Sequence, residues 1–593
     1  MTPQIQMLID PKADMTKPLV EIRSLKTQFF TDDGVVTAVD GVDLDVMPNR
    51  TMVVLGQSGS GKSIMARSIL RIVDQPGKIT EGSILYNHAD GRTIDLAKLR
   101  AGSPEVREIR GKDISMIFQE PMSSLGPITK IGKQIVETIL LHRNVTKIEA
   151  KEIAIDLLDR VGIPRPAERF EAYPFELSGG MRQRAMIAMA LSCEPRLLIA
   201  DEPSTALDVT TQAQILDLIA ELKEERQMGV MLITHDMGVA AEVAEDIVVM
   251  YHGKIIEKND VYSIFDAPKH PYTRALLASV PKLGGQRVHR LPDIHELLKN
   301  PDNPPAPIPA KPRPPAGEPI VKVRNVSVEF PVGGGVFSKP TGVIQAVNNV
   351  SFDVYRGETF GIVGESGSGK STLSRAIMGI RPPTSGSIEF LRQDKPPTEI
   401  STADKHQMRD VWRDMRMVFQ DPQSSLNPRL RVIDLIGQCI EKAEGIGRKE
   451  LSERVAKLLK QVGLSPEYLL RHPNAFSGGQ RQRLGVARAL ATRPELVIAD
   501  EAVSALDVPI QAQVLNLLQD LQEEFKLTYI FISHDLAVVD HICDRVAVMY
   551  KGEMVELLTR EELAAGPKHP YTKSLLSAVP IPDPHLRDRK KVV

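Results

Sequence analysis

A long internal repeat constrains this chain more than any other feature. Residues 37–63 read TAVDGVDLDVMPNRTMVVLGQSGSGKS and residues 345–371 read QAVNNVSFDVYRGETFGIVGESGSGKS. The two stretches align without a gap at an offset of 308, with 13 of 27 positions identical. The likeness continues downstream. Gln119 in MIFQEPMSSLGP answers Gln420 in MVFQDPQSSLNP at an offset of 301. Ser178, Asp201, His235 and His270 answer Ser477, Asp500, His534 and His569 at an offset of 299. A sequence so built carries one structural plan twice. With 593 residues in all, each copy has chain enough for its own core. Residues 300–318, NPDNPPAPIPAKPRPPAGE, separate the copies. Proline at that density excludes helix and sheet interiors and favours an extended spacer. The sequence thus predicts a first domain over 1–283, a linker over 284–318 and a second domain over 319–593.

Within each copy, short apolar runs alternate with helical patterns. MVVL (52–55) and FGIV (360–363) end in glycine-rich loops, and RLLIAD (196–201) and ELVIAD (495–500) end in acids. Each reads as a buried central strand feeding a turn. In 447–463, Leu451, Val455, Leu458, Leu459 and Val462 recur at the spacing of one helix face, and Ala150, Ala154, Leu157, Leu158 and Val161 repeat it in 146–162. The fold class is α/β, a parallel-sheet core with a helical segment in each copy.

The glycine-rich loops carry chemistry. GQSGSGKS (56–63) and GESGSGKS (364–371) are phosphate-binding P-loops. Gly56, Ser58, Gly59, Ser60 and Gly61, and in the second copy Gly364, Ser366, Gly367, Ser368 and Gly369, let backbone N–H groups close around phosphates at a helix N-terminus. Lys62 and Lys370 are expected to reach the β- and γ-phosphates, and Ser63 and Ser371 to ligate Mg²⁺. A single such loop is also consistent with a glycine-rich turn beside a stray lysine; two in register after apolar strands are not. Asp201 and Asp500, at strand ends, are expected to hold Mg²⁺ through water, and Glu202 and Glu501 to polarise the attacking water. Ser178, Gly179 and Gly180, and Ser477, Gly478 and Gly479, precede further helices and offer a second phosphate-seeking terminus in each module. One module cannot easily turn both ends on one nucleotide, whereas two modules facing head to tail can.

In this order, P-loop, glutamine loop, SGG signature, DE pair, SALD and histidine resemble the nucleotide-binding subunits of ABC transporters. The resemblance covers about nine-tenths of the chain. It implies two tandem P-loop domains, each with a mainly parallel sheet core, an antiparallel subdomain and a helical subdomain. It also implies ATP with Mg²⁺ sandwiched between the modules. One site would join Lys62, Ser63, Gln119, Glu202 and His235 to Ser477–Gln480, and the other Lys370, Ser371, Gln420, Glu501 and His534 to Ser178–Met181. Gln119 and Gln420 would also face Mg²⁺, Asp208 and Asp507 would cross the interface, and Phe29 and Phe330 would stack on adenine. The departures are mild: Met181 for the usual glutamine, Ala502 where the first copy has Pro203, Gly126 against Asn427, and Asn49–Arg50 against Gly357–Glu358. Neither site lacks its glutamate or histidine, so an ATPase with two hydrolytic sites is expected.

HPYTRALLASVP (270–281) and HPYTKSLLSAVP (569–580) narrow the resemblance to the ATPases of oligopeptide, dipeptide and nickel importers. That branch implies two permease subunits, a periplasmic solute-binding protein and a place on the cytoplasmic face of the bacterial inner membrane, with peptides first among the solutes. Some relatives carry an iron–sulfur cysteine cluster behind this segment. Cys193, Cys439 and Cys543 are too scattered for one, so no cluster is expected, nor a disulfide framework. No apolar run of 18 residues spans a membrane, and the first 21 residues lack a secretory pattern. The alternative is a non-transport twin ATPase of the translation-factor type. A net charge of −2 argues against that and against nucleic-acid partners generally, and HPYT tails are foreign to it.

Overall fold

The computed structural model describes residues 16–32, 34–119, 124–203, 207–281, 283–285, 288–299, 317–332, 342–421, 425–504 and 506–587. The first cassette opens with β1 (Val20–Thr31) and β2 (Gly34–Val46), followed by β3 (Thr51–Leu55), β4 (Gly77–Asn87) and β5 (Thr93–Asp95). Val20 and Ile22 alternate with more exposed neighbours, and a bulge between Ile22 and Leu25 keeps Leu25 on the buried face. These strands give an antiparallel sheet in the order β2–β1–β4–β5.

The second sheet holds β6 (Ile114–Ile117), β7 (Leu197–Asp201), β8 (Gly229–Ile233), β9 (Asp246–Tyr251) and β10 (Lys254–Asp260) in the order β10–β9–β3–β8–β7–β6. All its pairings are parallel except β10 with β9. Every residue of β3, β7 and β8 is buried, which is why these strands read as continuous apolar runs and not as alternating ones.

The second cassette repeats the plan. Its antiparallel sheet is ordered β12–β11–β14–β15, from β11 (Pro319–Val332), β12 (Gly342–Tyr355), β14 (Ser385–Phe390) and β15 (Thr398–Glu399). Its other sheet is ordered β16–β17–β18–β13–β19–β20, from β13 (Thr359–Val363), β16 (Met415–Val418), β17 (Leu496–Asp500), β18 (Thr528–Ile532), β19 (Arg545–Tyr550) and β20 (Glu553–Thr559). The helices Lys147–Arg160 and Arg448–Gln461 bury the stripes their periodicity predicts, and Thr146 with Glu149 closes a capping box on the first.

The chain divides into two compact units, one of residues 1–277 with 580–593, the other of residues 278–579. Part of the expected linker is therefore folded. Residues 288–299 belong to the second unit, with Leu291, Ile294 and Leu297 buried and a helix at Ile294–Lys299. Asn516 exchanges two 2.8 Å hydrogen bonds with the Leu291 backbone, and Arg290 pairs with Asp520 at 2.7 Å. The physical reason is composition. Apolar residues at helical spacing occupy 291–298, whereas the dense prolines begin at Pro301. Residues 300–316 lie outside the described residues. Among the described residues, no helix is long and apolar enough to cross a membrane.

Candidate active site

The site residues collect where β3, β7 and β8, or β13, β17 and β18, run out at their carboxyl ends, the usual place for ligands in open α/β sheets. Each P-loop leaves its strand through a glycine with no room for a side chain. Gly56 has φ 152°, and a Cβ there would stand 2.3 Å from the Met250 carbonyl oxygen. Gly61 caps the helix Lys62–Ile69 at φ 99°, with the Ala38 carbonyl oxygen 2.2 Å from its virtual Cβ. Gly364 and Gly369 repeat this in the second cassette, at φ 151° and 102°. Only glycine holds such a loop so close to its neighbours.

Inside the loop, the buried Lys62 ammonium donates to the carbonyls of Gly56 (2.7 Å) and Gln57 (3.1 Å). Lys370 does the same with Gly364 and Glu365, both at 2.7 Å. Ser60 and Ser368 bury hydroxyls that find no partner among the described residues. Each loop thus offers a cation, a helix N-terminus and a spare hydroxyl donor, a set suited to phosphate oxygens. Ser63 donates to Asp201 at 3.0 Å, and Ser371 to Asp500 at 3.2 Å. A hydroxyl beside a carboxylate is an all-oxygen donor pair of the kind Mg²⁺ takes. Burial, then the neighbouring Glu202 charge, raises the Asp201 pKa; burial and Glu501 do so for Asp500.

The glutamates follow on tight turns. Glu202 and Glu501 sit at φ 48° and 47°, and their N–H groups donate to Ile233 and Ile532 carbonyls at 2.9 and 3.0 Å. Left-handed backbone at a glutamate is uncommon and marks a position the surroundings hold in place. Gln119 donates to Glu202 at 2.8 Å and Gln420 to Glu501 at 2.6 Å. The Nδ1 atoms of His235 and His534 lie 3.3 and 3.7 Å from the same glutamates. Burial works to lower both histidines, but the facing carboxylates outweigh it and leave both raised. Burial likewise works to raise Glu501, and His534 holds it below its ordinary value.

Ser178 and Ser477 are N-caps, accepting from the N–H groups of Met181 and Gln480 at 3.4 Å each. Gln480 closes a capping box on Ser477 at 3.1 Å. Gly179, Gly180, Gly478 and Gly479 form the first turns of these helices. Asp208 caps Val209–Arg226, accepting from Thr211 at 2.8 Å, and Asp507 precedes Val508–Phe525. Within each cassette, hydrogen bonds join the P-loop serine to the aspartate and the glutamine to the glutamate, while the signature serines bond to the helices they open. Phe330 carries the Arg381 guanidinium over its ring at 3.9 Å, and Phe29 lies against Gly77.

Some residues escaped the motif reading. The hydroxyl of Tyr272 accepts the Gln57 N–H at 3.1 Å, and that of Tyr571 the Glu365 N–H at 3.0 Å. Gln183, fully buried on the signature helix, donates to the Pro203 carbonyl just past Glu202. In the second cassette a cavity of about 550 Å³ opens beside Phe419, the residue before Gln420. Met378, Trp412, Arg416, Cys439 and Arg488 also line it. Arg488 donates to the Ser425 carbonyl at 2.5 Å and Arg416 to the Thr492 hydroxyl at 3.1 Å. No carboxylate among the described residues bridges either guanidinium. Burial lowers the Arg488 pKa.

Comparisons with known proteins agree on the plan. Residues 39–205 and 347–504 match the family described as ABC transporter. Residues 256–306 and 555–592 match the oligopeptide/dipeptide transporter, C-terminal region. The chain is 46% identical over 583 residues to the glutathione import ATP-binding protein of Pectobacterium atrosepticum, covering 97% of this chain and 92% of that protein. It is 45% identical, with the same coverage, to the protein of that name from Escherichia coli K12.

Proposed function

This chain belongs to the ABC transporter family and is an ATPase of its importer branch, and from that premise we propose that it powers uptake of glutathione or short peptides across the bacterial inner membrane through two permeases served by a periplasmic binding protein. The observation that carries this reading is the pairing of two complete nucleotide sites with two HPYT extensions on one chain. The extensions match the oligopeptide/dipeptide transporter C-terminal region, and the relatives named above are glutathione import ATP-binding proteins.

The two cassettes close head to tail on two ATP molecules. Lys62 and Lys370 exchange their loop carbonyls for phosphate oxygens. Ser63 with Asp201 and Gln119, and Ser371 with Asp500 and Gln420, would hold Mg²⁺, which would supply charge neutralisation at the phosphates. Glu202 and Glu501 orient and deprotonate the attacking water, with His235 and His534 fixing the carboxylates. Ser178–Met181 and Ser477–Gln480 face the γ-phosphate of the opposite site, and Asp208 and Asp507 cross between cassettes.

The cavity beside Phe419 supports the coupling half of the reading. It exposes Trp412 and Phe419 next to the glutamine that touches Glu501, so a permease element seated there sits one residue from the catalytic glutamate's partner. The test is uptake in proteoliposomes carrying this chain with its cognate permeases and binding protein. ATP-dependent accumulation of labelled glutathione or of short peptides is expected; accumulation of neither, with ATP hydrolysis intact, would refute the solute assignment.

A further inference from the structure

The HPYT segments have no part in the chemistry described so far, yet each reaches a P-loop. Their local construction explains how. Pro271 and Pro570 open short helices, Pro271–Ala278 and Pro570–Ala578, at the position where a missing N–H costs nothing. The histidines before them turn Nδ1 back to accept the tyrosine N–H groups, at 3.1 Å for His270 and 3.2 Å for His569. The approach to each helix is pinned by a carboxylate on the strand behind it. Glu257 takes the N–H groups of Lys269 and His270 at 2.7 and 3.0 Å, and Glu556 those of Lys568 and His569 at 2.8 and 3.3 Å. Each tyrosine ring then packs on a second tyrosine at the end of β9 or β19, with centroids 4.2 Å apart for Tyr251–Tyr272 and 4.1 Å for Tyr550–Tyr571.

What the hydroxyls touch is specific. The Gly56 carbonyl and the Gln57 N–H belong to one peptide unit. The carbonyl holds Lys62 at 2.7 Å, and the N–H donates to Tyr272 at 3.1 Å. In the second cassette the Gly364 carbonyl holds Lys370 at 2.7 Å, and the Glu365 N–H donates to Tyr571 at 3.0 Å. The first peptide of each P-loop is thus clamped from both ends, by the lysine on its oxygen and a tyrosine on its nitrogen. A cation on the carbonyl polarises the amide and strengthens the bond its N–H makes. When the lysine turns to phosphate, the tyrosine remains on that peptide. Both cassettes make the contact, Tyr272 with the Gln57 N–H and Tyr571 with the Glu365 N–H.

We propose that Tyr272 and Tyr571 are positioning residues of the two nucleotide sites, holding the first peptide of each P-loop where its lysine can engage ATP. This assigns the HPYT extension a task at the nucleotide site of its own cassette. The inference rests on the P-loops binding ATP, not on which solute is imported or how the cassettes pair.

The test is the full chain with Tyr272→Phe and Tyr571→Phe together, which keeps both rings and removes both hydroxyls. Without the hydroxyl, ATP itself has to order the loop, so the loss falls on binding and not on the bound state. A single neutral hydrogen bond corresponds to roughly a two- to tenfold change in an equilibrium constant. The expected result is a rise of that size in KM for ATP, with kcat within about a factor of two and an unshifted thermal midpoint. Direct titration of ATP onto the Tyr272→Phe single variant should show weakened binding at one site per chain. An unchanged KM overturns the proposal, whether or not the thermal midpoint or kcat falls, because a merely structural tyrosine would move only those. Wild-type turnover measured alongside keeps the ATP-binding premise separate from the tyrosines' part in it.

Discussion

The two cassettes agree closely at the nucleotide and differ at the groove. Between copies, the lysine–carbonyl, serine–aspartate and glutamine–glutamate bonds match within 0.4 Å, and the histidine–glutamate separations are 3.3 and 3.7 Å. Beside them, Trp412, Arg416 and Arg488 stand where the first copy has Arg110, Ser115 and Met189; Trp412 bonds to the Met378 carbonyl as Arg110 does to that of Leu70. A site that must stabilise one charge distribution has little freedom. A surface facing a partner need only match that partner. The comparison therefore separates two nearly superposable sets of candidate site residues from two cassette faces that differ in sequence, as the proposal of one chemistry and two different docking faces requires.

The sharpest way to break the first half of that comparison is at the glutamates. Glu202→Gln and Glu501→Gln together should keep ATP binding and cut steady-state hydrolysis by about 10²- to 10⁴-fold, the usual share of a general base. Each single variant should cost the same factor as the other in an ATPase assay. A large difference between them would mean that matched geometry hides unequal sites.

Next in size is the groove. Among the described residues no carboxylate pairs with its two guanidiniums, so a permease element that docks there, as proposed, should bring one. Arg416→Ala with Arg488→Ala should weaken binding to detergent-solubilised permeases by about tenfold, an effect of about 1.4 kcal/mol, and flatten its salt dependence. Ser115→Ala with Met189→Ala in the first copy should change affinity far less. Equal losses on both sides would show that the faces are not differentiated.

A smaller contrast lies under the signature helices. Gln183 donates through Nε2 to the Pro203 carbonyl, with only its Oε1 unpartnered among the described residues, whereas Gln482, as deeply buried, has its Nε2 donor unpartnered among them where Ala502 replaces that proline. Gln183→Met should cost about 1 kcal/mol of stability, and Gln482→Met should be neutral or mildly stabilising, as read by chemical denaturation.

The smallest effect concerns acid. Burial works to raise Glu257, and the hydrogen bonds of the HPYT turn outweigh it, leaving the carboxyl below its ordinary value; the same holds for Glu556. A depressed carboxylate stabilises above its unfolded pKa of about 4.5 and loses that contribution as pH falls through the lower folded value. Glu257→Gln should thus reduce stability near neutrality by less than about 1 kcal/mol, given solvent screening, and the gap to wild type should close in acid.

Much of this was legible in the sequence because its signals are local. Each phosphate-binding element is a short run in which glycine, lysine and serine must stand at fixed spacing, so the loop and the strand before it are read together. The central strands were plain as well, since burial on both faces makes them continuous apolar runs. The contacts that escaped are long-range. Nothing in HPYT says that its tyrosine meets an N–H 215 residues earlier. Nor does the signature reveal that Gln183 bonds past the DE pair, or that Arg416 and Arg488, on a strand and a distant helix, share one cavity. The folded stretch 288–299 was hidden by its proline-rich neighbour, although Leu291, Ile294 and Leu297 carry an apolar stripe.

The central claim is that the two cassettes share two ATP sites, each built from one P-loop and the other copy's signature. It is tested most directly by counting ATP occluded per chain in the Glu202→Gln, Glu501→Gln background. Adding Lys62→Ala with Ser477→Arg damages one shared site twice, and one ATP per chain should remain. Adding Lys62→Ala with Ser178→Arg damages both sites, and none should remain. The reverse pattern would contradict the account, because it would mean that each cassette binds ATP with its own signature.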